Sequence, residues 1–298
     1  MNEPLRKALL AGSWYPGHPK KLIAEIEFFF DHVPDQDVLG DVVGLIAPHA
    51  GYAYSGQVAA SAYKLVRGQD YDAVIVIGPS HRVSFRGVSV FNGVGYETPL
   101  GMISVHTELA DAIVAQSTVT STVAAPHRQE CNAIEIHLPF LQVALGQLRF
   151  VPLIMADQDA ETCNNLTEAI VHAVGCRKVL LVASSDLSHD HPYDMAVEMD
   201  RIAIRHMEKM DADGLLKDLA KGVIEACGGG PAAVVMMVAK RLGADGAKIL
   251  EYANSGDVTG DKQSRIVGYA AAVYYHRHPA ADAANRAIMN GNEINGQG

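Results

Sequence analysis

Three short polar clusters hold the side chains that could do chemistry. They are Pro48-His49-Ala50-Gly51-Tyr52, Pro79-Ser80-His81, and Ser184-Ser185-Asp186-Leu187-Ser188-His189-Asp190-His191. Each follows a short apolar run, at 42–47, 73–78 and 179–183. One histidine after a strand is ordinarily a polar loop residue. Three clusters at three strand ends instead suggest a shared rim, where imidazoles and a carboxylate could bind a metal or exchange protons. A fourth feature is Cys227, in Glu225-Ala226-Cys227-Gly228-Gly229-Gly230-Pro231. A thiol just before a helix is expected to have a lowered pKa, making it a nucleophile or a soft metal ligand. The three glycines would let the backbone approach something closely, although a flexible loop with an incidental cysteine is the plainer reading. Cys163 and Cys176 sit in or beside an amphipathic stretch and read as packing residues.

Several enzyme classes lack their signatures. There is no GxSxG elbow, since the nearest stretch, Gly78-Pro79-Ser80-His81-Arg82, ends in arginine. HExxH and Walker A patterns are absent. Ser184, Ser185, Asp186 and His189 could form a hydrolytic triad on paper. Their closeness in sequence makes a ligand-binding loop the more natural reading.

The elements that must position these clusters alternate along the chain. Segments 42–47, 73–78 and 179–183 are β-branched and apolar, as expected of strands buried on both faces, and 150–155 and 266–275 read as further strands. Between them, 19–33, 57–66, 133–145, 160–174, 195–210 and 231–242 show helical spacing. The pattern predicts an α/β fold, one domain over 1–278, with a central mostly parallel or mixed β-sheet flanked by helices on both faces. Because the first two clusters belong to one strand–helix–strand unit, their strands are expected to be neighbours. Residues 279–298, rich in Ala, Asn and Gly, are expected to form a loosely structured tail.

Composition narrows the class further. With 24 basic against 34 acidic residues the formal net charge is −10, and no basic stripe with interleaved aromatics favours nucleic acid. No apolar run approaches the roughly 20 residues that span a bilayer, so a membrane role is not expected. The N-terminus lacks a signal-like apolar stretch, and a cytoplasmic location is expected. The four cysteines are far apart and are expected to be thiols.

Several motifs together resemble one family. Ala11-Gly12-Ser13-Trp14-Tyr15-Pro16, Ala47-Pro48-His49-Ala50-Gly51-Tyr52, Gly78-Pro79-Ser80-His81, Glu97-Thr98-Pro99-Leu100-Gly101, Ser184-Ser185-Asp186-Leu187-Ser188-His189 and Asn254-Ser255-Gly256-Asp257-Val258-Thr259-Gly260-Asp261 resemble the Memo family, called in prokaryotes the B component of the AmmeMemoRadiSam system. The resemblance implies a fold similar to class III extradiol dioxygenases, with non-haem iron at the strand ends. It implies a metal set of His49, His81 and Cys227, with Fe(II) as the cofactor and Cu or Zn as alternatives. Asp186 and His189 would be catalytic acid/base groups. Trp14, Tyr52, Ser80 and Glu135 would line the pocket for a small-molecule substrate. Radical SAM and AMMECR1-like proteins are the implied partners, and a peptide- or phosphopeptide-binding adaptor is the alternative role. There are two departures from the family pattern. Asn132 replaces a histidine, with His127 and His137 nearby, and Gly229 replaces a bulkier residue, which would open the pocket.

Overall fold

The apolar β-branched runs do form the centre of a sheet. A computed structural model describes residues 5–36, 38, 40–129 and 132–278. Its strands are β1 (Gly40–Ala47), β2 (Ala73–Pro79), β3 (Val88–Val90), β4 (Gly95–Thr98), β5 (Gly101–Val105), β6 (Thr120–Ser121), β7 (Arg149–Met155), β8 (Val179–Ser184), β9 (His189–His191), β10 (Gly246–Asn254) and β11 (Ile266–Arg277). The sheet order is β10-β11-β1-β8-β2-β7-β3-β6; β5 joins the hairpin β4–β5 to β7, and β9 pairs with β11. The four central strands β1, β8, β2 and β7 are parallel. Antiparallel β11, β10 and β3 extend them, so the sheet is mixed. The expected tail at 279–298 and the thiol of Cys131 lie outside the described residues.

One expectation is corrected. β1 and β2 are not adjacent, because β8 lies between them, pairing Ala47 with Ser184 on one edge and Ile77 with Ala183 on the other. Every residue of β8 is buried, as suits a strand bonded on both edges and covered on both faces. The β1–β2 crossover skips one position, which a strand much later in the chain then fills.

Helices cover both faces. They are α1 (Pro19–His32), α2 (Tyr52–Tyr63), α3 (Thr107–Gln116), α4 (Ala124–Gln129), α5 (Asn132–Glu135), α6 (Leu138–Leu145), α7 (Ala160–Val174), α8 (Tyr193–Glu208), α9 (Ala212–Ala220), α10 (Gly229–Arg241) and α11 (Ser255–Thr259). On one face α10 packs on β1 and β8 and against α7 and α9; on the other, α2 packs on β1 and β11 and against α1 and α6. The single helix expected over 133–145 is broken, because Pro139 lacks the N–H an interior position needs and instead occupies the first turn of α6. Among the described residues, no helix is long and apolar enough to cross a membrane.

Candidate metal centre

The carboxyl ends of β1, β8 and β2 form one rim, and the polar clusters stand on it. His49 follows β1, His81 follows β2, and Ser185-Asp186 continues β8 between them. One ligand atom each from His49, His81 and Cys227 lies within 4.8 Å of the others, a set that could hold a metal ion. The His49 and His81 ring centroids are 5.1 Å apart at 78°. The Nε2 atom of His49 lies 3.1 Å from Cys227 Sγ. Imidazole and thiolate donors on one ion, at bond lengths of roughly 2.1 and 2.3 Å, stand about 3–4 Å apart, so only a small adjustment is needed. His81 is exposed and can supply it.

The end of β8 organises His49 and Cys227. Ser184 Oγ lies 2.7 Å from His49 Nδ1. Asp186 Oδ1 accepts the backbone N–H of His49 at 2.8 Å, and the Asp186 backbone N–H donates to Cys227 Sγ at 3.3 Å. The hydroxyl of Ser185 accepts from the Gly228 N–H at 3.1 Å. A Cβ at Gly228 would collide with the Ser184 carbonyl oxygen, so only glycine brings the Cys227 loop this close. From the far side, Gln158 donates to the Cys227 carbonyl at 2.9 Å and accepts from the Gly230 N–H at 2.8 Å.

Electrostatics reverse the expectation of a ready thiolate. Burial, then the Asp186 carboxylate, pushes the Cys227 thiol up, and backbone hydrogen bonds offset this only in part. Burial, then His81 and His189, holds His49 well below its ordinary value against the opposing effect of the Ser184 backbone. Proximity to the α10 N-terminus does not outweigh desolvation. A thiolate–imidazolium pair is therefore disfavoured. A cation inverts that balance, since a thiol that coordinates a metal releases its proton to solvent and a neutral imidazole is already in ligand form. The donor set thus fits a metal better than a bare nucleophile.

Asp186 and His189 flank the ligands. Asp186 Oδ2 is 3.9 Å from His49 Nε2, and burial lifts its carboxyl above the usual range. His189 Nδ1 lies 2.8 Å from the Leu187 carbonyl, which can only accept, so Nε2 is its free nitrogen. Glu225 ties this strand to the Cys227 loop, accepting from the His189 N–H at 3.2 Å and pairing with His191 at 2.9 Å. The hydrolytic triad does not assemble, because Ser184 meets His49 rather than His189, and the Ser185 hydroxyl donates to the Asp186 carbonyl.

The remaining sequence candidates divide. Trp14 is 37% exposed, and its carbonyl accepts the Tyr52 N–H at 2.9 Å, placing it on the His49 loop. Ser80 Oγ donates to the Val83 carbonyl at 2.7 Å, beside a cavity of about 350 Å³ that is also lined by His81, Arg82, Ser84, Phe85 and Asp157. A larger cavity of about 870 Å³ lies at the opposite sheet edge, near Asp72 and Arg149, and contains none of the candidate ligands. Tyr52 is buried in an aromatic cluster with Tyr15, Phe29 and Phe140, its hydroxyl donating to the Ile136 carbonyl. Glu135 is fully buried; it pairs with Arg6 and accepts from the Leu9 and Leu10 N–H groups and the Tyr15 hydroxyl. That bonding anchors the N-terminal segment.

The two departures also find places. His127 does not stand in for the histidine replaced by Asn132: it is buried, with Nδ1 2.7 Å from the Tyr96 hydroxyl and Nε2 3.1 Å from the Ser89 carbonyl. His137 Nδ1 is 2.8 Å from the Tyr63 hydroxyl. Gly229 does not open the pocket, because a Cβ there would run into Leu219 of α9. Sequence reasoning missed the roles of Gln158 and Glu225, whose partners are distant in the chain.

Comparison with known proteins identifies a family and a shared fold. The family model described as Memo-like protein matches residues 6–273. A MEMO1 family protein of Methanopyrus kandleri is 36% identical over 280 residues, covering 90% of this chain and 98% of that one. Another, from Methanothermobacter thermautotrophicus, is 36% identical over 275 residues, covering 89% and 99%. The crystal structure of an uncharacterised protein from Escherichia coli K12 shares the fold, with TM-score 0.50 and 15% identity over 76% of this chain and 99% of that one. With the family match spanning nearly the whole chain, this protein belongs to the Memo-like family.

Proposed function

We propose that this chain is a metal-dependent oxidoreductase, dioxygenase-like, acting on a small organic substrate at a non-haem iron or copper centre. The observation that carries the reading is the convergence of His49, His81 and Cys227 ligand atoms within 4.8 Å at the carboxyl ends of parallel strands. Two imidazoles and a thiolate suit Fe(II), Cu or Zn. Three protein ligands would leave positions open, and the bound ion would supply Lewis acidity and electron transfer there.

The chain's own residues divide the remaining work. His49 is buried and Cys227 half-buried, both in fixed settings, while exposed His81 faces the cavity. The free Nε2 of His189 can accept or return a proton, and Asp186 holds the His49 loop in place while its raised carboxyl remains close by. Trp14, bonded through its carbonyl to the His49 loop, offers an exposed ring for substrate contact. Association with radical SAM and AMMECR1-like proteins belongs to the same proposal, and co-purification tests it.

Anaerobic reconstitution with Fe(II), followed by metal analysis, tests the centre. Wild type should retain about one ion per chain, the expectation for a single site, and a His49→Ala, His81→Ala double variant should retain none. Unchanged metal content in the variant would refute the assignment. The exposed Trp14 favours one second reading, a peptide-binding adaptor. Peptide binding that survives chelation and Cys227→Ala would support it over the enzyme.

A further inference from the structure

We infer that Ser184 is a positioning residue whose hydroxyl accepts the Nδ1–H of His49 and so holds the Nε2 lone pair toward Cys227 and His81. Its importance for catalysis rests on the metal reading, but the tautomer assignment does not.

The geometry is specific. Ser184 is the last residue of β8, the strand between the two histidine-bearing strands, and it is completely buried. Its Oγ lies 2.7 Å from Nδ1, and among the described residues His49 is its sole side-chain partner. On the other side of the ring, Nε2 faces Cys227 Sγ at 3.1 Å. A neutral imidazole carries one proton, so seating it on Nδ1 leaves Nε2 as the electron-pair donor. Hydrogen bonds that fix a ligand imidazole in this way commonly contribute about 10–100-fold to metal affinity. A threonine could keep the contact; an alanine could not.

Two measurements on the full chain test this. Nitrogen-15 NMR of the metal-free protein should show His49 protonated at Nδ1, and Ser184→Ala should shift it toward the Nε2–H form. Cobalt(II), the probe ion, should bind Ser184→Ala about 10–100-fold more weakly, with a diminished thiolate-to-cobalt band, while Ser184→Thr keeps most of both. Circular dichroism and thermal melting of the apo variants establish that they fold. A wild-type His49 protonated at Nε2, or a Ser184→Ala protein with unchanged tautomer and cobalt affinity, overturns the inference. If wild type binds no cobalt, the metal reading fails and the NMR measurement alone decides the role of Ser184.

Discussion

His49 Nε2 and Cys227 Sγ lie 3.1 Å apart although 178 positions separate the two residues in the chain. The thiol is pushed up by burial and the imidazole is held down. Ion binding must therefore expel the thiol proton but no proton from His49. Above pH 7 the apparent affinity for Zn(II) or Co(II) should rise roughly tenfold per pH unit, with about one proton released per ion. Titration in buffers of differing ionisation enthalpy measures that release. Cys227→Ala should lose most of the slope along with the affinity.

Gly228 is where the Cys227 loop meets β8. Since a Cβ there would collide with the Ser184 carbonyl, Gly228→Ala should cost about 1–3 kcal/mol of stability. It should also weaken metal binding by moving the thiol. Urea unfolding and cobalt titration, run side by side, check both effects.

Arg6 and Glu135 form a buried ion pair beneath the N-terminal segment. Glu135→Ala removes the carboxylate that neutralises the buried guanidinium and takes the acceptor from two backbone N–H groups, so a loss of roughly 3–5 kcal/mol is expected. Limited proteolysis should then cut ahead of α1. Metal content should hold wherever the variant remains folded, because the described partners of Glu135 are Arg6, Leu9, Leu10 and Tyr15, none of them a candidate ligand.

Burial brings His127 down to about 3 from an ordinary value near 6.5. Below about pH 6.5 the unfolded chain takes up a proton that the folded chain refuses until about pH 3. Stability is therefore fully present above that window and falls as pH drops through it, by up to about 1.4 kcal/mol per pH unit for this one residue. Denaturation midpoints between pH 7.5 and 4.5 measure the slope. His127→Gln should flatten it by about one proton's worth, though it begins less stable.

The sequence made the rim legible, because apolar strands ending in histidine or aspartate mark where side chains leave the sheet. It did not reveal strand order. Nothing in 42–47 or 73–78 records that residue 183 will pair with Ile77. β10 escaped notice because Gly246–Asn254 is half-buried along most of its length and carries Lys248 and Glu251, which blurs the alternation. The thiol at Cys227 was misjudged because helix position is local and visible, whereas burial depends on Asp186, Gln158 and α10 arriving from elsewhere. Glu135 posed the same problem: a buried carboxylate in a matched motif reads as a ligand contact until Arg6 is seen beside it.

The late insertion of β8 between β1 and β2 has a consequence for biosynthesis. Both histidines leave the ribosome early, yet the strand that brings them together and the thiol that completes the trio come well past the middle of the chain. The trio cannot assemble in a nascent polypeptide until Cys227 has been translated. A product truncated ahead of Cys227 would therefore lack one of the three candidate ligands.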